Sequence, residues 1–161
     1  MVAGSFTEEY ESPIPVLKAW KAGVLDAHIM IPKLLPDIIS SVDVLEGNGG
    51  VGTVKQFNFT EAVKEHKFIK DRVDVLDDHN YVFKYTVIEG GLLGTRFKSY
   101  SYELKLEAAG GGGSKGKLTV HYDTIDDTPL TEEEVGKLMI GVVGMMKALE
   151  VYFQANPNLY A

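Results

Sequence analysis

No cysteine occurs among the 161 residues. Disulfides are therefore excluded, and the redox compartment leaves no mark on the chain. Positive charge is also scarce, with 16 Lys and Arg against 23 Asp and Glu and a net charge of −7. A nucleic-acid partner, which is held by clustered Lys and Arg, is not expected. No apolar run approaches membrane-spanning length, and Met1 to Ser12 carries acids where a signal peptide would need an apolar stretch. The expected compartment is the cytosol, without stable membrane association. His28, His66, His79 and His121 show no pairing in sequence, and neither a metal nor a cofactor is expected. What remains is a globular composition, 45% apolar and 24% charged. At this length it fits a single domain over residues 1–161, monomeric and with a substantial core.

The strongest pattern lies near the end, over Leu130 to Phe153. Thr131 followed by Glu134 is a capping box, and the acids of the first turn suit the positive end of the helix dipole. Val135, Leu138, Met139, Val142, Met145, Met146, Leu149 and Phe153 then recur at the spacing of one helical face. A helix of that length runs ~36 Å, enough to cross a small domain. Gly136, Gly141 and Gly144 interrupt it, although each glycine costs about 1 kcal/mol relative to alanine. Methionine on its inner face supplies soft side chains that fit irregular spaces. A methionine stripe is ordinarily plain core; here the glycines and the polar sheet face described below turn it towards a ligand.

Upstream, residues 2–12 alternate as a strand that Pro13 and Pro15 end. Val16, Leu17, Trp20, Val24 and Leu25 fall at helical spacing. Pro32 and Pro36 forbid one long helix, so two short helices are expected, joined near Asp26–Ile29, with His28 as an exposed turn residue. Strands follow at 40–47, 53–61, 67–77, 81–89, 95–107 and 118–124, with 108–116 as a glycine-rich hairpin tip. Hairpin-connected strands and segregated helices make the class α+β, an antiparallel sheet curved around the long helix.

Period two assigns the inner face. It takes Lys55, Phe57 and Phe59; Ile69, Asp71, Val73 and Val75; Phe83, Tyr85 and Val87; Tyr100, Tyr102, Leu104 and Leu106; and Leu118, Val120 and Tyr122. Four tyrosines, a lysine and an aspartate form a costly interior unless water or a ligand reaches them. An amphipathic cavity between helix and sheet accounts for them, since small-molecule pockets have apolar walls and a few polar groups. The candidate ligand-binding set is Lys55, Phe57, Asp71, Phe83, Tyr85, Tyr100, Tyr102, Leu104 and Tyr122 on the sheet. Leu138, Met139, Val142, Met145 and Met146 complete it on the helix.

The order of elements and the octapeptide Glu46-Gly47-Asn48-Gly49-Gly50-Val51-Gly52-Thr53 carry a resemblance. So do Lys70–Asp74, Tyr85–Gly91, Ser114–Lys117 and Leu149–Phe153. Over essentially its whole length the chain resembles the class-ten pathogenesis-related proteins of plants, the birch-pollen major allergen family. The resemblance implies a helix-grip fold: a seven-stranded antiparallel curved sheet around a long C-terminal helix, with two short helices between the first two strands. It also implies a cavity for hydrophobic plant metabolites such as cytokinins, flavonoids, sterol-like molecules and alkaloids, and a link to defence or stress. The family's cavity positions fall on Lys55, Phe57, Asp71, Phe83, Tyr85, Tyr102, Leu104 and the inner face of the last helix. A phenylalanine common on the first short helix is Gly23 here, a change expected to widen the cavity.

Other functions have partial signatures. Gly47 to Gly52 fits a dinucleotide-binding glycine pattern, but a strand and not a helix follows it, so that function is rejected. Ribonuclease activity ascribed to the family would use Glu150 and Tyr152, yet its strand glutamate aligns with Lys98, and Glu150 reads as an exposed helix carboxylate. The catalytic lysine of norcoclaurine synthase aligns with Phe83, and its carboxylate with Asp71. Lys55 and Asp71 read first as an ion pair on the cavity wall, and second as a cation and a base acting on a bound substrate in an enzyme of specialised metabolism. The gate and latch motifs of the abscisic-acid receptors do not occur.

Overall fold

A computed structural model describes residues 2–160. Seven strands form one antiparallel sheet: β1 (Ala3–Ser12), β2 (Ile39–Glu46), β3 (Val54–Phe59), β4 (Phe68–Asp77), β5 (Val82–Gly90), β6 (Phe97–Ala108) and β7 (Ser114–Thr124). Their order across the sheet is β1-β7-β6-β5-β4-β3-β2. The chain thus crosses the whole width between its first two strands, and α1 (Val16–Trp20) and α2 (Ala27–Leu34) make that crossing. Helix α3 (Glu132–Ala155) closes the fold.

The helix break falls at Asp26 (φ −103°, ψ 21°), after a π-helical turn over Lys21–Leu25 in which the Asp26 N–H donates to the Lys21 carbonyl at 2.9 Å. Pro32 lies inside α2. His28 is therefore a half-buried helical residue, not the exposed turn residue expected from the proline positions. β7 begins at Ser114, so the hairpin tip is shorter than its glycine content suggests. Inward alternation holds on β5, β6 and β7 but slips on β4. A bulge between Val73 and Val75 sets Val75 opposite the outward Lys84 and brings Leu76 opposite Phe83, so Leu76 and not Val75 joins the core.

α3 starts where the capping box places it, with the Glu134 N–H donating to Thr131 Oγ1 and the Glu134 carboxylate accepting from the Thr131 N–H. The same carboxylate receives Arg96, whose Nε donates at 2.6 Å, while Arg96 Nη2 donates to the Thr128 and Pro129 carbonyls at 3.0 Å. One guanidinium thus ties the β5–β6 loop to the first turn of α3. The helix axis then turns by 42° between Glu132–Met139 and Gly141–Ala155. Gly136, Gly141 and Gly144 all face open space, with no atom within 4 Å of a methyl group built on any of them. They do not let another element approach; they lower the cost of bending. No single helix among the described residues is long and apolar enough to cross a membrane.

The core gathers Trp20, Phe97, Leu106, Leu118, Val120, Leu149 and Phe153 under the C-terminal arm of α3. The sole tryptophan is sealed there: its Nε1–H donates to Asp78 Oδ1 at 2.8 Å, and its ring meets Tyr81 edge-on at 5.5 Å. α3 runs against β1, α2 and the π turn, and among the described residues its backbone makes no comparable approach to β3, β4 or β5.

Gly141→Ala is expected to raise stability by about 1 kcal/mol, seen as a higher urea midpoint at constant slope; a lower midpoint would mean the bend requires glycine. Arg96→Met is expected to cost about 1 kcal/mol near neutral pH. The Arg96 hydrogen bond holds the Glu134 carboxyl below its usual pKa of 4.5. That contribution is present above pH 4.5 and disappears as pH falls through the lowered value, so urea melts should show wild type and variant converging in acid.

Candidate ligand site on the inner face of the sheet

Beside the sealed half lies a more polar one. Lys55 and Asp71 face each other directly across β3 and β4 and are only 5% and 7% exposed. Tyr85 and Tyr102 are paired across β5 and β6, their rings stacked at 19° with centroids 5.0 Å apart. Phe83 stands 5.0 Å from Tyr85, and the Lys55 ammonium lies over its ring at 5.8 Å. Two strands of acid and base thus meet two strands of aromatic surface at one patch, because adjacent strands place equivalent residues side by side.

No hydrogen bond within the protein reaches the Lys55 ammonium, the Asp71 carboxylate or the Tyr85 and Tyr102 hydroxyls among the described residues. The ion pair expected between Lys55 and Asp71 does not close, although their backbones pair. None of these four polar groups is sealed either; among the described residues the buried side-chain polar atoms without a hydrogen bond are Tyr10 Oη and Glu150 Oε1. Polar heads that are neither bonded nor sealed face space that water or a ligand can occupy.

Burial sets the electrostatics. It drives the Asp71 carboxyl up to about 7, with the Lys55 charge opposing and the Asp74 charge adding. It pushes the Lys55 ammonium down, against the pull of Asp71. It raises the Tyr85 and Tyr102 hydroxyls well above the ordinary phenol range, helped by neighbouring tyrosines and Asp71. Each shift favours the neutral form, as desolvation requires.

The remaining candidates divide by exposure. Phe57, Phe83, Tyr85, Tyr122 and Val142 are half-buried, whereas Tyr100, Tyr102, Leu104, Leu138, Met139, Met145 and Met146 are buried. Tyr100 is tied down, its hydroxyl accepting the Leu92 N–H at 3.2 Å. Tyr122 lies apart, packed on Phe6 and Phe97. Gly23 does not widen the interior: a methyl group built there would stand 3.1 Å from Met146 Cε and 3.2 Å from Leu149 Cδ1. The absent side chain has been filled from the opposite helix. Two open depressions lie elsewhere, one at Leu93, Phe97, Lys98 and Ile125, the other on the far face at Ser99, Ser101 and His121.

The glycine loop offers no anion cradle. Gly49 N–H donates to Thr53 Oγ1, Gly52 N–H to the Val73 carbonyl and Thr53 N–H to the Gly50 carbonyl. At Gly47 (φ +85°) a Cβ would meet Thr53 Oγ1 at 2.6 Å. Glu150 is not the exposed carboxylate expected: its side chain is 16% exposed, and its charge adds to the burial that pushes the Tyr10 hydroxyl up. Tyr152, by contrast, accepts from Lys33 Nζ at 2.8 Å. The two groups of the supposed ribonuclease pair serve different neighbours. Among the described residues no cluster of His, Asp and Glu is arranged to hold a metal ion.

Comparison with known proteins bears out the fold. Residues 1–156 match the model of the pathogenesis-related protein Bet v 1 family. The major allergen Pru ar 1 of Prunus armeniaca is 39% identical over 156 residues, 97% of each chain. The crystal structure of Ara h 8.0201 superposes with a TM-score of 0.84 at 36% identity, covering 96% of this chain and 99% of its own. Norcoclaurine synthase from Thalictrum flavum, in complex with dopamine and hydroxybenzaldehyde, shares the fold at a TM-score of 0.76 and 19% identity, over 94% of this chain and 88% of its own.

Because Asp71 binds a proton more tightly in the folded chain than at its ordinary value of 3.8, its contribution to stability is complete below that pH and is lost as pH rises through about 7. Asp71→Asn is therefore expected to remove a fall in stability between pH 4 and 7, measured by urea melts across that range. An unchanged slope would mean that Asp71 titrates normally.

Proposed function

We propose that this chain, which belongs to the pathogenesis-related protein Bet v 1 family, binds hydrophobic or amphipathic small molecules reversibly between α3 and strands β3 to β6. One observation carries the reading. Four buried or half-buried polar groups, on Lys55, Asp71, Tyr85 and Tyr102, have no hydrogen-bond partner among the described residues and stand beside aromatic and aliphatic walls. Affinity would come from apolar burial at about 25 cal/mol per Å². Orientation would come from hydrogen bonds to those four groups, each of which gains a partner only when a ligand or water arrives. Phe57, Phe83, Leu138, Met139, Val142 and Met145 supply the walls, and plant metabolites with fused or aromatic rings, cytokinins and flavonoids among them, fit the stacked Tyr85–Tyr102 surface. The carrier works as a monomer in the cytosol.

A second reading rests on Asp71. A carboxyl titrating at about 7 beside an ammonium is placed to take a proton from a bound substrate. Lys55 brings its ammonium over the Phe83 ring, the position at which a catalytic lysine would otherwise stand. Carriage is preferred because binding alone needs no second reacting group.

Titration with anilinonaphthalene sulfonate is expected to show saturable fluorescence enhancement, competed by members of a cytokinin and flavonoid panel. Val142→Trp, which fills the space in front of α3, is expected to weaken binding at least tenfold. Absence of saturation in wild type, or full affinity in Val142→Trp, would overturn the reading. Turnover of a bound metabolite that collapses in Asp71→Asn would favour the enzyme instead.

A further inference from the structure

Leu138, Met139 and Met145 on the inner side of α3 are buried. Val142 is half-buried, Met146 is 5% exposed and Leu149 is fully sealed. Met146, one turn on from the half-buried Val142, stands between it and the sealed Leu149. Opposite stands the π turn with Gly23 at its centre. Met146 Cε and Sδ lie 3.1 and 3.4 Å from where a Gly23 Cβ would be. The thioether therefore occupies side-chain space that the π turn leaves empty. Leu149 and Trp20 behind it belong to the sealed core, whereas Met146 ends in a flexible, unbranched chain that adopts other rotamers at low cost.

We propose that Met146, seated against Gly23, is a displaceable plug that ends the ligand pocket and sets the longest apolar tail the pocket accepts. A ligand whose ring lies at Tyr85 and Tyr102 and whose tail runs along α3 swings the methionine aside and lays that tail over Gly23. A compact ligand leaves the plug in place. Long-tailed ligands thus displace the Met146–Gly23 contact and short ones do not, so selectivity by length is written into one side chain. The inference rests on the binding reading above and adds the chemical class it favours: an aromatic head with a linear alkyl or prenyl-like tail.

The test is displacement of anilinonaphthalene sulfonate by ethyl-, butyl- and octylphenol from the full chain, expressed as the ratio of octylphenol to ethylphenol affinity. Met146→Ala is expected to raise that ratio about tenfold, as roughly two more methylenes find room. Met146→Leu, similar in volume but branched and stiff, is expected to lower it about threefold, and Gly23→Val, which fills the space behind the plug, to lower it likewise. A ratio within twofold of wild type in Met146→Ala would overturn the proposal. Should that variant fail to fold, an unchanged ratio in Met146→Leu and Gly23→Val would overturn it equally. Saturable probe binding with a flat ratio across the variants sinks the plug alone; no probe binding in wild type sinks the carrier and the plug with it.

Discussion

A single helix is too narrow for the sheet it has to cover. Seven strands at ~4.8 Å spacing span about 29 Å, while a helix with its side chains is about 10–12 Å across. α3 lies against β1, α2 and the π turn, and α1 reaches β6 and β7. Among the described residues no helix approaches β3, β4 or β5 as closely as these. That shortfall decides where Lys55, Asp71 and Tyr85 can exist as they do. Placed under Leu149 or Phe153 the same groups would be sealed and unpaired, a loss of several kcal/mol for a charged one. On the uncovered side they keep contact with solvent-sized space, and their shifted pKa values record a compromise between burial and access.

The helix answers the shortfall by bending instead of lengthening. Its glycines make no contacts in exchange for their low helix propensity, so their effect is on shape. The 42° turn near the middle gives the two arms different directions, and Arg96 fixes where the first arm begins. Methionines sit on both arms, where packing has to accommodate an interior that is neither full nor empty. The same compromise explains Gly23. On a rigid wall a missing side chain would leave a void; against a methionine it is filled.

Much of this could be read from residue order alone, because the signals were local. The capping box at Thr131, the alternation of β5 to β7 and the inward tyrosines depend on spacing within one element. What escaped depends on partners far apart in the chain. The bulge that turns Val75 out and Leu76 in appears only when β4 is laid against β5. Gly23 read as an enlargement because nothing near it in sequence reveals Met146 across the interior. Glu150 read as exposed because its helical position does not show that α3 packs against β1, close enough for Glu150 to act on Tyr10. Tyr100 counted as a free hydroxyl until the loop amide of Leu92 was found on it. The Lys55–Asp71 pairing was legible as register but not as geometry: the backbones pair and the heads do not.

The central claim is that the ligand sits on the half of the sheet that α3 leaves uncovered. Amide and side-chain NMR shifts during titration with anilinonaphthalene sulfonate test it most directly. Perturbations centred on Lys55, Asp71, Tyr85, Tyr102 and Val142, with Leu106, Leu118 and the β1–β7 pair left still, are the predicted pattern. Shifts confined to the outer-face residues Ser99, Ser101 and His121, or to Leu93, Lys98 and Ile125, would contradict it.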